Sequence, residues 1–149
     1  MTLVFSDTEI ICAALAAACA FGLFGLPFAT STQNADATSL FADGIYNIND
    51  HTALLALFCA AGALVLISIF LFNNRQQQLL MGRFAIIANT IGIILVLIFL
   101  YQDGAQTGAA EVNEQLGIGL PILFIVFALL AQRGISKDEK LVRSADRLR

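Results

Sequence analysis

The sequence predicts an all-α integral membrane protein, a four-transmembrane-helix bundle followed by a short amphipathic C-terminal helix on the cytoplasmic side. Three observations predict it. Of 149 residues, 58% are hydrophobic and 13% charged, about half the charge of an average soluble domain. The apolar residues gather into four blocks, each of a length suited to a bilayer. All eight Lys and Arg residues lie at position 75 or later, six of them between Arg133 and Arg149. So few charges cannot cover a soluble core with polar surface, and the chain is too short for several domains. One unit spanning residues 1–149 in lipid is expected, which disfavours a soluble enzyme, a nucleic-acid binder and a disordered tail.

Crossing ~30 Å of hydrocarbon at 1.5 Å per residue takes ~20 helical residues. The first block, Ile10 to Ala29, has 20 residues and no charge. It is read as a retained span rather than a cleaved signal peptide, because Met1 to Glu9 holds Asp7 and Glu9 but no basic residue, and the apolar run is too long for a signal core. The second block, Ala53 to Phe72, is also uncharged; the third, Leu79 to Tyr101, carries only Arg83, and the fourth, Leu116 to Gln132, none. Lipid offers no partner for free backbone groups, so each block is expected to be a helix. A soluble bundle would show a water-facing polar stripe on its helices, and none of the four blocks has one.

Basic residues set the expected orientation. The segments Thr30 to Thr52 and Gln102 to Gln115 carry carboxylates and no Lys or Arg, whereas the link Asn73 to Gln78 contains Arg75, with Arg83 just beyond. The positive-inside rule then puts that link and both termini on the cytoplasmic side, with the two acidic segments outside. In the first outer segment, Asp43-Gly44 between Leu40-Phe41 and Ile45-Tyr46 is compatible with a tight hairpin. The favoured alternative is an interfacial turn with Phe41 and Tyr46 at headgroup level. The second outer segment, rich in Gly, Ala, Gln and Asn, reads as flexible.

Few residues suggest chemistry. His51, at the start of span two, reads as an interfacial helix cap rather than a metal ligand. Cys12, Cys19 and Cys59 lack metal or redox spacing and read as small apolar packers. No cofactor and no metal are expected. Ala14, Ala18 and Gly22 recur every four residues on span one and would let another helix approach closely. Packing against the protein's own spans is the favoured reading and a partner protein the sharper one. Asn89, in the middle of span three, should find a partner on another helix.

The tail opens with Ser136 and Glu139, the spacing of a capping box. A helix over residues 136–148 would gather Leu141, Val142, Ala145 and Leu148 on one face, with Lys140, Arg143 and Arg147 opposite. Together with Lys137 and Arg149 these basic side chains suit the anionic inner leaflet, or a docking partner, rather than nucleic acid.

This tail, Gly134-Ile135-Ser136-Lys137-Asp138-Glu139-Lys140-Leu141-Val142-Arg143-Ser144-Ala145-Asp146-Arg147-Leu148-Arg149, resembles the closing signature of a family of small four-span Bacteroidota proteins, the domain of unknown function 4293. The link Phe72-Asn73-Asn74-Arg75-Gln76-Gln77-Gln78-Leu79 is similar to that family's second recognisable stretch. The acidic Met1 to Glu9 departs from its basic opening. The resemblance implies an inner-membrane address in a Gram-negative host and assigns no activity.

Three function classes compete on these residues. A non-catalytic accessory or structural subunit of a larger membrane complex, held among other integral membrane proteins, is the expectation. A small four-span transporter or channel is the alternative, disfavoured because Asp7 and Glu9 stand before the apolar run rather than within it. An enzyme is not expected, since no base, nucleophile or metal constellation is visible.

Overall fold

A computed structural model describes residues 7–31, 45–71, 74–106, 112–114 and 116–146. Four α-helices carry the fold: α1 (Asp7–Gly22), α2 (Thr52–Phe70), α3 (Arg75–Gln106) and α4 (Gly119–Asp146). Each packs on its two neighbours around a square, most extensively α1 on α4 and α2 on α3, while the diagonal pairs barely touch. Three helical stretches are long and apolar enough to cross a membrane: Thr52–Phe70, Arg75–Gln102 and Gly119–Leu141.

The first helix is shorter than the apolar block that contains it. Its 16 residues reach about 24 Å at 1.5 Å per residue, and it ends at Gly22 rather than Ala29. Turn bonds from the Phe24 N–H to the Phe21 carbonyl and from the Gly25 N–H to the Gly22 carbonyl close it off. Pro27 then removes a donor and turns the preceding residue away from helical geometry. The irregular stretch beyond still packs against the bundle, with Leu23, Phe28 and Ala29 buried. That burial shields backbone that lacks its own helical ladder.

The fourth helix departs in the other direction. A separate tail helix beginning near Ser136 is not what forms; α4 runs unbroken from Gly119 to Asp146. Pro121 sits in its first turn, where the missing donor costs least. Strong helix formers follow Ile135, and contacts with α1 and α3 hold the segment in line, so the Ser136–Glu139 spacing does not begin a new helix. The 28 residues make a rod of about 42 Å, with no break at Ser136 to turn its end onto a leaflet.

Parts of the two acidic segments meet in a three-stranded antiparallel sheet. Its strands are β1 (Ala29–Ser31), β2 (Ile45–Tyr46) and β3 (Val112–Glu114), in the order β2-β1-β3. Ala29 stands opposite Tyr46 on one side and Glu114 on the other. The first outer segment therefore returns on itself as a ladder, its expected turn at Asp43-Gly44 and the interfacial Phe41 lying outside the described residues. Tyr46 is buried in this cap rather than resting at a headgroup level. Part of the second segment, expected to be flexible, forms the other edge strand. Gly117 locks the arrangement: its N–H donates to the Pro27 carbonyl at 3.2 Å, and a Cβ there would lie 2.2 Å from that oxygen.

The core divides along the bundle. Toward the Arg75 end it is built from small side chains, Ala13, Ala16, Ala17, Ala20, Ala61, Ala85, Ala128 and Ala131, around Val65 and Phe124. Toward the sheet it is aromatic and bulky, with Leu23, Phe28, Tyr46, Leu54 and Phe58 fully buried. There the Phe58 ring fills the space left by Gly92, 2.8 Å from where a Cβ would stand.

Candidate functional site

The polar groups of the bundle collect at the Arg75 end, where three helices contribute. Arg75 opens α3, Asp138 lies near the end of α4, and their charged groups stand 3.6 Å apart. Glu9, in the first turns of α1, is 9% exposed and lies within electrostatic reach of both. It packs on Gly134 of α4, where an added Cβ would sit 2.5 Å from the Glu9 Cγ. One Glu9 oxygen, Oε1, has no hydrogen-bond partner. Of the two carboxyl groups, Asp138 pairs with the guanidinium directly, while Glu9 lies farther off beside Asp138.

Beside this triad a cavity of about 10 Å³ lies between the helices, bordered by Ser68, Gln78, Gly82, Gln132 and alanines of α1 and α4. A space of this size is about that of one water molecule. Ser68 donates to the Val65 carbonyl at 2.6 Å, so its hydroxyl is engaged with its own helix. Gln132 Nε2 is buried without a partner.

Near the middle of α3, Asn89 is fully buried and donates from Nδ2 to the Pro121 carbonyl at 3.0 Å. That bond ties α3 to α4, the interhelical role expected of an amide in a span. At the sheet end, His51 stands at the N-cap of α2 through its backbone, with no side-chain cap bond. Its ring stacks on Phe99 with centroids 4.4 Å apart. Among the described residues no group of three His, Cys, Asp or Glu side chains is placed to hold a metal ion.

The other residues singled out in the sequence distribute unevenly. Arg75 enters the triad, whereas Arg83, Lys137 and Lys140 are exposed. The Arg143 side chain, Arg147 and Arg149 lie outside the described residues. On α1 the bundle uses Ala13, Ala16, Ala17 and Ala20, and leaves Ala14 and Ala18 exposed. Gly22 is half-buried, with Leu120 Cδ1 3.3 Å from where its Cβ would be. The four-residue spacing of small side chains therefore belongs to the outer face of α1, apart from its last member. All three cysteines are free, Cys19 buried and the others half-buried.

Sequence reasoning set Glu9 aside and passed over Asp138. Glu9 precedes the apolar run and so reads as a boundary residue, and Asp138 reads as one acid among the charges of the tail. The available signal was Gly134, a gap in α4 one turn before Asp138, which accepts the Glu9 side chain.

Over residues 11–148 the chain matches the family described as Domain of unknown function (DUF4293). No curated protein and no solved structure matches it. The chain belongs to the DUF4293 family.

Proposed function

We propose that this protein is a non-catalytic accessory or structural subunit of a larger complex in the inner membrane of a Gram-negative bacterium of the Bacteroidota type. It crosses four times, the irregular stretch to Ala29 completing the first crossing, and both termini are cytoplasmic. The positive-inside distribution supports this orientation, since Arg75, Arg83 and the basic part of α4 share one end. The carrying observation is the division of α1 into two small-residue faces. Ala13, Ala16, Ala17 and Ala20 are consumed by the protein's own packing, while Ala14 and Ala18 stand exposed between Ile11, Leu15 and Phe21. Small side chains on an exposed helix face allow a second helix to approach backbone to backbone, where dispersion holds it.

Replacing Ala14 and Ala18 with Leu tests the reading. Neither residue packs in the bundle, so the folded protein should keep its thermal stability within about 0.5 kcal/mol. Co-purification of other membrane proteins in mild detergent should be lost. Recovery of the wild type as a monodisperse lone protein would defeat the proposal.

A small transporter or channel is the second reading, favoured by one observation, the burial of the Glu9 carboxyl between helices. Costly buried charge in a membrane protein often marks a transport path. Under the accessory reading Glu9→Gln leaves ion or drug flux in proteoliposomes at the background of empty vesicles, as does the wild type.

A further inference from the structure

We propose that the outer face of the α3–α4 pair, at the Arg75 end, binds the phosphodiester of an anionic phospholipid between Arg83 and Arg133. Three contacts fix the register of these helices: Arg75 with Asp138, Gly82 against Gln132, and Asn89 with Pro121. Position rises along one helix as it falls along the other, so the two run antiparallel. Where Gly82 and Gln132 face one another, the next residue on each helix turns about 100°. In an antiparallel pair both turns lead to the same side. Arg83 and Arg133 therefore project from one face, and they are offset along the axis by about two residues, or about 3 Å. Both are exposed, as are Lys137 and Lys140, which the same rotation brings to that face.

The acids nearest the face are engaged or turned away: Asp138 pairs with Arg75, Glu139 has an interaction of its own, and Glu9 lies on the α1 side of α4. Arg83, Arg133, Lys137 and Lys140 carry no ion pair among the described residues. Beneath the two arginines the Gln132 amide is buried against Gly82, so the face itself is left to the charged side chains. Toward the bilayer centre the same helices are covered by exposed Ile87, Val126 and Leu129, a surface for acyl chains. Guanidinium forks match phosphate oxygens in geometry as well as charge. Arginines near the ends of spans extend to the headgroup level, and basic grooves between spans are sites for anionic headgroups. A phospholipid supplies both the phosphate and the chains, so it is the occupant that fits. The inference rests only on these helices lying in a bilayer, not on an accessory role.

The test uses the full-length protein in dodecyl maltoside, with its thermal unfolding followed during titration by phosphatidylglycerol, phosphatidylcholine or inorganic phosphate. Phosphatidylglycerol should raise the midpoint while the other two do not. In Arg83→Gln/Arg133→Gln the apparent affinity should fall about 25-fold, at about fivefold per lost charge. Lys137→Gln/Lys140→Gln should lose less. Equal stabilisation by phosphatidylcholine, a full response to inorganic phosphate, or an unchanged response in the arginine double variant would each overturn the proposal. Should the glutamine variant not fold, Arg83→Lys/Arg133→Lys keeps the charge and removes the forks. Native mass spectrometry should then show its phosphatidylglycerol adduct shed at lower collision energy than from the wild type; equal retention refutes the fork.

Discussion

The two ends of the bundle solve the same packing problem with opposite materials. At the Arg75 end the helices are faced with alanine and approach closely, and the contacts are finished by polar groups: Glu9 on Gly134, Arg75 with Asp138, Gln132 over Gly82. At the sheet end the helices are spaced by large rings, and single glycines make room for them, as Gly92 does for Phe58. In lipid no hydrophobic force presses spans together, so both solutions depend on contact area. Alanine gains it by bringing backbones together, and phenylalanine by filling the distance between them. The difference predicts that damage at the aromatic end is a matter of volume, while damage at the alanine end is a matter of charge and clearance.

The largest test of this comparison is Phe58→Ala. A soluble core loses about 3–5 kcal/mol for such a change. Here the unfolded reference keeps its helices in lipid, so the transfer part drops out and about 2–3 kcal/mol of packing is expected to be lost. Thermal unfolding in detergent measures it. A loss under about 1 kcal/mol would mean that the ring does not fill the Gly92 gap in solution.

Next in size is a contrast within the triad. Arg75→Gln leaves Glu9 and Asp138 facing each other without a cation, and should cost about 1–2 kcal/mol at neutral pH. Asp138→Asn removes one of the two carboxylates and leaves Arg75 to Glu9, so it should cost less than half as much. The reverse order would show that the Arg75–Asp138 pair acts alone and that Glu9 has no share in it.

The smallest effect belongs to Asn89→Leu, which deletes the bond to the Pro121 carbonyl. Side-chain bonds between spans average about 0.6 kcal/mol, and the substitution should shift stability by that order. Its companion readout is disulfide trapping between cysteines introduced at the outer ends of α3 and α4, which should quicken as the two helices loosen.

Much of this architecture was visible in the sequence, for reasons of scale. A span needs some twenty apolar residues, and blocks of that length cannot be mistaken. Arg75 and Asn89 were legible because a charge or an amide is conspicuous against such a background. The end of α1 was not, since Leu23 to Phe28 is as apolar as the helix before it and only Gly25 and Pro27 hint at the break. Nor was the sheet: two or three residues give no alternation to read, and Thr30 meets Asn113 across most of the chain. Glu9 and Asp138 each look ordinary alone, and only the packing of α1 on α4 brings them to one cation. The continuity of α4 was hidden by its own sequence, because Ser136 and Glu139 have a start signal's spacing whether or not a helix is already under way.

The strand β1 has a consequence for how the molecule is made. Its two neighbours leave the ribosome at very different times: Ile45 and Tyr46 soon after it, Val112 to Glu114 only when most of the chain has been synthesised. Until then one edge of β1 stays open, and the Pro27 carbonyl waits for Gly117. Closure of the cap is therefore a late checkpoint of biogenesis. A chain stalled before β3 is made would present an unfinished edge that quality-control proteases can read.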